Sequence, residues 1–405
     1  MEPLLILTHL TILLMLGVLS CILSRWLKIP NILFLLLVGL IIGNLNYNNS
    51  PLIDFPQIFI ISLGILSLVM LIFDSSAKFK WREFDTLTID ASKLSIMTIL
   101  LYFIIISGIT YALFGMRNIF FAIIFSAIIS GTSADTVLTF FKEKQNRITG
   151  LLEVESIINT PLTVLLPFIV ISFMENLSKG QGVLPEYMSQ FIGLLQQFIT
   201  GIGAGVVIGI ITIKLMKKFF SQAISPIIVI TSCILAYILA ENLSGSGVLG
   251  VTVLGLMYGN YYVKKKKVLT DFSGMFSSSL VIIVFILIGL KITPSLSWSF
   301  FWLSMIIFIA TVAIRFLSVF ISFYNSDYRL KEKVFIALNA PKGIAAAIVA
   351  FSLLNYNIGG VTFSTIPEGN LVLNLVLAMI FYSMILSTII MRFSKYFIRV
   401  EVAAK

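Results

Sequence analysis

The sequence predicts an all-α polytopic membrane protein of about 13 transmembrane helices in two inverted six-helix repeats, with helices 5 and 12 broken. Three observations predict it. Of the 405 residues, 59% are apolar and 11% charged, against roughly 45–50% and about 25% in soluble domains. Apolar stretches long enough to span a hydrocarbon core recur along the whole chain and leave no soluble domain between them. A weak self-similarity at an offset of 216 residues joins two segments that cross in opposite directions. The formal charge of +10 would suit nucleic acid on a water-exposed surface. In so apolar a chain it fits basic loops gathered on one side of a bilayer, so lipid and not nucleic acid is the expected partner.

Segment 1 (4–24) has no basic stretch before it, and Arg25 and Lys28 follow it, so it reads as a retained span and not a cleaved signal peptide. Segment 2 (29–45) closes on Val38-Gly39-Leu40-Ile41-Ile42-Gly43-Asn44, whose glycines permit close helix packing. Segment 3 (56–75) ends at Asp74, which lies close enough to Lys78 and the interface to read as a surface residue. Segment 4 is 90–115. Segment 5 (118–141) is interrupted well inside its run by Ser130-Gly131-Thr132-Ser133-Ala134-Asp135. Segment 6 (149–174) carries Glu153, Glu155 and Pro161, and segment 7 (191–216) joins the halves.

In the second half, segments 8 (221–242) and 9 (246–262) come first, and segment 9 closes on Leu254-Gly255-Leu256-Met257-Tyr258-Gly259-Asn260, the counterpart of the end of segment 2. Segments 10 (271–291) and 11 (298–323) follow, the latter holding Arg315. Segment 12 (334–354) is interrupted by Asn339-Ala340-Pro341-Lys342-Gly343, at the same place in its half as the break of segment 5, and segment 13 is 369–391. The expected division is a first repeat over 1–174, a connecting stretch with helix 7 over 175–218, and a second repeat with a short tail over 219–405.

Loop charge sets the orientation. With thirteen spans, 22 of the 28 basic residues fall on the side of the C-terminus and three, Arg117, Lys179 and Lys291, on the other. The expectation is a multi-pass cell-membrane protein with its N-terminus outside and its C-terminus cytoplasmic.

A charge at mid-membrane costs about 2.5–3.5 kcal/mol on the insertion scale, so each needs a partner or a task. The candidates are Asp135, Glu153, Glu155, Arg315 and Lys342. Glu155, Asn159 and Thr163 fall at i, i+4 and i+8 with Ser156 and Thr160 alongside, a polar stripe that must face protein or water, and Pro161 frees the carbonyl of Ile157. Glu153 points about 200° away from Glu155 and reads as an interfacial residue or a partner of Lys144 or Arg147. Glu155 is read either as half of an ion pair with a buried base or as a direct ion or proton ligand. Asp135, in a broken helix, can bind a hard monovalent cation and exchange it for a proton; capping the half-helix or pairing with Arg315 is the other reading. Enzyme chemistry is not expected. The only histidine, His9, is far from the Ser130–Asp135 break, and no His-Glu-x-x-His or cysteine cluster occurs. Cys21 and Cys233 lie in apolar runs and read as packing residues.

These residues resemble the Na+/H+ exchanger (cation:proton antiporter) family of NhaP and NHE type along most of the chain. Lys28-Ile29-Pro30 through Gly43 resembles the family's second helix and Ser246-Gly247-Val248-Leu249-Gly250 through Asn260 its ninth. Leu152-Glu153-Val154-Glu155-Ser156-Ile157-Ile158-Asn159 is similar to the sixth-helix motif, Ala337-Leu338-Asn339-Ala340-Pro341-Lys342-Gly343 to the Gly-Pro-Arg-Gly break, and Arg315 to an arginine of the eleventh helix. The resemblance implies thirteen spans with crossed broken helices 5 and 12, assembly as a homodimer, no cofactor, and electroneutral exchange of Na+ or a similar cation, Li+ or K+, for H+. It implies that Glu155 pairs with Lys342 in the core.

Two positions depart from the pattern. Family members end the sixth-helix motif in Asn-Asp, and here that position is Thr160; the fifth-helix break usually reads Thr-Asp-Pro, and here it reads Thr132-Ser133-Ala134 with the acid at Asp135. The expected site is therefore Asp135 as exchanging carboxylate and cation ligand, with neutral oxygens from Thr132, Ser133, Asn159 and Thr160, and with Glu155, Lys342 and Arg315 as the core ion-pair residues. A member of the fold that senses or scaffolds without transporting is the other reading of the missing Asn-Asp. If 133–135 run extended, Asp135 takes the direction of Ser133; if they are helical, it points away.

Overall fold

The computed structural model describes residues 3–27, 31–47, 50, 51, 53, 55–78, 86–133, 147–179, 184–219, 221, 224–261, 266–291, 297–354 and 356–397. Helices α1 (Pro3–Leu27), α2 (Asn31–Gly43), α3 (Gln57–Lys78), α4 (Thr86–Phe114), α5 (Ile119–Ser130), α6 (Arg147–Lys179) and α7 (Leu184–Lys218) are followed by α8 (Ser225–Asn242), α9 (Gly247–Asn260), α10 (Lys266–Lys291), α11 (Trp298–Ser322), α12 (Leu330–Leu338), α13 (Ile344–Leu354), α14 (Pro367–Arg392) and the short α15 (Ser394–Phe397). Among the described residues, nine of these are long and apolar enough to cross a membrane, and α2, α5, α9 and α13 are shorter apolar helices. Among the described residues the remaining regular structure is two antiparallel ladders of two residues a strand, Asn46–Tyr47 with Ser50–Pro51 and Asn357–Ile358 with Val361–Thr362, and a short 3-10 helix at Phe363–Thr365.

Helix ends differ from the apolar runs for local reasons. Helices α6 and α7 run past the apolar runs that predicted them, to Lys179 and back to Leu184, because polar residues continue a helix once it leaves the hydrocarbon. Helix α9 starts at Gly247 because Ser246 is extended and its side chain accepts from the Leu249 N–H. Helix α4 contains a π turn over Tyr102–Ile106, which the apolar pattern did not signal, and ends in Gly115 at φ 57°.

Glycines bring backbones together at two places 216 residues apart. A Cβ on Gly43 would lie 2.8 Å from the Leu290 carbonyl oxygen, and Gly39 is closer still to the Ile286 carbonyl, so α2 and α10 cross almost backbone to backbone. A Cβ on Gly259 would lie 2.5 Å from the Ala77 carbonyl oxygen and one on Gly255 2.7 Å from the Ser76 side chain, which sets α9 equally close to α3. The second helix of each half thus packs on the third helix of the other.

Both breaks fall where the polar, Gly and Pro residues interrupt the apolar runs. Helix α5 stops at Ser130, and Gly131 is extended at φ −71° and ψ 155°; Asn339 to Gly343 are non-helical between α12 and α13. The two touch. The Ser133 N–H donates to the Pro341 carbonyl at 2.9 Å, and Gly343 lies so close to Ser133 that a Cβ there would overlap its side chain. Asp135 and the chain that follows the first break up to residue 146 lie outside the described residues.

Candidate functional site

The polar stripe of α6 divides between two surroundings. Glu155, Asn159 and Thr163 are buried, at 0%, 1% and 0% exposure; Glu155 points to Arg315 of α11, whereas Ser156, Asn159, Thr160 and Thr163 line a cavity. Two contacts join α6 to the first break. Asn159 Nδ2 donates to Thr132 Oγ1 at 2.7 Å, and Gly131 passes so close to Thr163 that no side chain fits between them. Thr163 in turn donates to the Asn159 carbonyl and Thr160 to the Ser156 carbonyl. Among the described residues Asn159 Oδ1, which is buried, has no hydrogen-bond partner, an unmet acceptor of a kind that native interiors rarely tolerate.

Glu155 pairs with Arg315 and not with Lys342. Its Oε2 receives Arg315 Nη2 at 2.7 Å, and Arg315 Nη1 donates to Thr98 Oγ1 at 2.9 Å, with both charged side chains at most 1% exposed. The physical reason is reach. The Lys342 N–H is held by Ser383 Oγ of α14 at 2.9 Å, and from that anchor the side chain runs toward the end of α5 and toward α4. There Nζ lies 3.3 Å from the Gly131 carbonyl, 3.4 Å from the Tyr102 hydroxyl and 4.8 Å from the centre of the Tyr102 ring. The Tyr102 hydroxyl donates to the Thr311 carbonyl at 3.1 Å. Among the described residues no carboxylate lies within ion-pairing distance of Lys342, whose positive end is met by a carbonyl, a hydroxyl and a ring face.

Tyr102, Thr98 and Ser383 were not expected at the site. Tyr102 gave a faint signal, one hydroxyl-bearing ring in mid-run, but the π turn that begins at it cannot be read from spacing. We expect Tyr102→Leu to lower stability by about 2 kcal/mol through the lost ring contact and Tyr102→Phe by only about 1 kcal/mol, read as thermal unfolding midpoints in detergent.

Two cavities approach this region from opposite ends of α3, α6 and α13. One, about 230 Å³, is lined by Asp74, Ser75 and Lys78 of α3, by Glu153, Ser156, Asn159, Thr160 and Thr163 of α6, by Gly131, Thr132 and Ser133, and by residues of α10 and α13. The other, about 400 Å³, is lined by Ile60 to Leu68 of α3, Phe168 to Glu175 of α6, Phe351 of α13, and Tyr237, Glu241 and Tyr356. Only the first reaches the expected cation ligands: Thr132, Ser133, Asn159 and Thr160 all line it, while Glu155 stands behind them in its ion pair. Asp74 joins it too, as a wall residue 13% exposed and paired with Lys78, where a surface position was expected. Glu153 lies along the same wall, and Arg147 stacks on the Tyr328 ring at 4.3 Å instead of reaching it.

The site is thus an oxygen-lined cavity ending where two helices break, with a neutralised ion pair behind it. It can accept a small cation by replacing water with hydroxyl, amide and carbonyl oxygens. The profile described as "Sodium/hydrogen exchanger, transmembrane" matches residues 10–393. The chain is 27% identical over 365 residues to "Probable Na(+)/H(+) antiporter 2" of Methanocaldococcus jannaschii, covering 86% of this chain and 85% of that one. It is 24% identical to "K(+)/H(+) antiporter NhaP" of Alkalimonas amylolytica over 84% of this chain, and spans 58% of that relative's length. Its fold is similar to the solved structure of the sodium proton antiporter MjNhaP1 from Methanocaldococcus jannaschii, with a TM-score of 0.77, 21% identity, and coverage of 97% of this chain and 99% of that one.

Proposed function

The chain belongs to the sodium/hydrogen exchanger family, and from that premise we propose that it exchanges a monovalent cation, Na+ or alternatively Li+ or K+, for H+ across the cell membrane by alternating access. The single observation that carries this reading to particular residues is the end of the smaller cavity. There the Asn159 side chain lines the cavity with Thr132 and Thr160, and its buried Oδ1 has no hydrogen-bond partner among the described residues. An acceptor oxygen without a donor suits a cation, which offers positive charge without needing a hydrogen.

Asp135 is the exchanging carboxylate in this reading. The chain is extended at Gly131 and non-helical through Ser133, the last described residue before it. With Glu155 neutralised by Arg315, Asp135 binds the cation or the proton in turn in this reading, and one carboxylate trading one proton for one monovalent ion makes the exchange electroneutral. Helix α6 and the two crossed breaks form the moving part, and the protein works as a homodimer with its N-terminus outside and its smaller cavity open to the cytoplasm. The division into repeats over 1–174 and 219–405, joined through 175–218, goes with this reading, and the reciprocal packing of α2 on α10 and α9 on α3 supports it.

Proteoliposomes holding a pH-sensitive dye test the reading. An imposed Na+ or K+ gradient should drive a pH change in the wild type, and Asp135→Asn should slow it at least about tenfold. A wild type that moves no protons at any pH from mildly acid to mildly alkaline would instead assign the fold a sensing or scaffolding role. Equal rates in Asp135→Asn would keep the exchange and move its carboxylate elsewhere.

A further inference from the structure

The smaller cavity has a charged mouth that the exchange as described does not use. Asp74, in the last turns of α3, receives Lys78 Nζ on Oδ2 at 2.7 Å; the Asp74 side chain is 13% exposed and that of Lys78 54%. Glu153 of α6 and Ser277 and Ser278 of α10 line the same cavity. An i, i+4 pair on an outer helix surface would call for no further account. This one differs in two respects. Its carboxylate is set into the wall of a cavity, between α3 and α10, with the Asp74 Oδ1 only 3.6 Å from where a Cβ on Gly274 would stand. The same cavity is also lined by Asn159, 1% exposed, whose Oδ1 has no hydrogen-bond partner among the described residues. Hard oxygen ligands in one cavity, with serine and threonine hydroxyls among them, let a cation shed water in steps.

The Lys78 ammonium is itself a monovalent cation that seeks oxygen, and it sits on a carboxylate that lines the cavity. We propose that Asp74 is an access subsite for the transported cation and that Lys78 is its tethered competitor, holding the subsite until an arriving ion displaces the ammonium to solvent. The inference rests on the cation-exchange reading of this cavity. Displacement is easy because Lys78 is more than half exposed and its flexible stem can swing out without disturbing the helix. The ammonium lowers the apparent affinity for the cation at this face, and by an amount that shrinks as ionic strength rises, because the pair is partly open to water.

The test uses the purified full chain in two assays. In proteoliposomes, initial exchange rates are measured against Na+ or K+ concentration with choline holding ionic strength constant; in detergent, Na+ and K+ binding is measured by calorimetry. Lys78→Gln should lower KM and tighten binding about threefold to tenfold. Lys78→Arg, which keeps the charge and the reach, should stay near the wild-type value. In an Asp74→Asn background the effect of Lys78→Gln should largely disappear, since the ammonium then has no subsite to occupy. Unchanged or weakened binding in Lys78→Gln, Lys78→Arg matching Lys78→Gln, or a full-sized effect persisting in Asp74→Asn would each overturn the inference. A wild type that fails to exchange would sink the exchange reading alone, and the binding assay would still decide this one.

Discussion

Arg315→Met should destabilise the protein by about 3–5 kcal/mol, enough to remove most of the folded material from a membrane preparation. The cause is the charge left behind. Glu155 is wholly buried, its Oε2 is held at 2.7 Å by the guanidinium, and its Oε1 has no partner among the described residues, so without Arg315 a bare carboxylate would sit in the membrane interior. Thr98 would lose its donor in the same step. A second substitution separates charge from packing. Glu155→Met combined with Arg315→Met should return most of the stability, because a buried pair replaced by apolar residues of similar volume is often neutral or better. Size-exclusion profiles and thermal midpoints of the two variants measure this; a double variant as unstable as the single one would show that the guanidinium matters for its shape.

Gly343→Ala should cut exchange at least about tenfold while leaving the long helices folded. Its new methyl would overlap Ser133, and that contact lies beside the hydrogen bond from the Ser133 N–H to the Pro341 carbonyl that ties the two breaks together. Forcing them apart displaces Thr132, which is hydrogen-bonded to Asn159, and with it one wall of the smaller cavity. The side chain at fault is on the partner strand of chain, so Ser133→Gly should rescue Gly343→Ala. Transport in proteoliposomes and far-ultraviolet circular dichroism together check it: loss without rescue would mean that Gly343 is needed for its backbone freedom and not for the space it leaves.

Legibility from sequence followed the physics of each feature. Both breaks could be read because a cluster of polar residues, Gly and Pro inside an apolar run disfavours continued helix at that point, and α12 and α13 meet the expected interruption at Asn339 to Gly343. The stripe of Glu155, Asn159 and Thr163 could be read because helical phase depends on spacing alone. The choice of partner for Glu155 could not. Which of two bases reaches it depends on the Ser383 anchor that turns Lys342 away, and Ser383 is 41 residues distant from Lys342 in the chain. The same limit hid the setting of Asp74. Sequence placed it near Lys78 and the interface, but only the fold brings α10 and α6 together with it to line a cavity.

The two cavities, finally, leave little insulation between them. On α3 the larger is lined as far as Leu68 and the smaller begins at Leu71; on α6 the limits are Phe168 and Thr163, and on α13 Phe351 and Ala346. At 1.5 Å per residue these gaps are about 4.5–7.5 Å, against about 30 Å for the whole hydrocarbon core. If both cavities are wet, nearly all of the transmembrane voltage falls across that thin layer. An ion would then need to be carried only a few ångströms to cross almost the full electric field, and a handful of side chains such as Leu68, Leu71 and Phe351 would stand between controlled exchange and a short circuit.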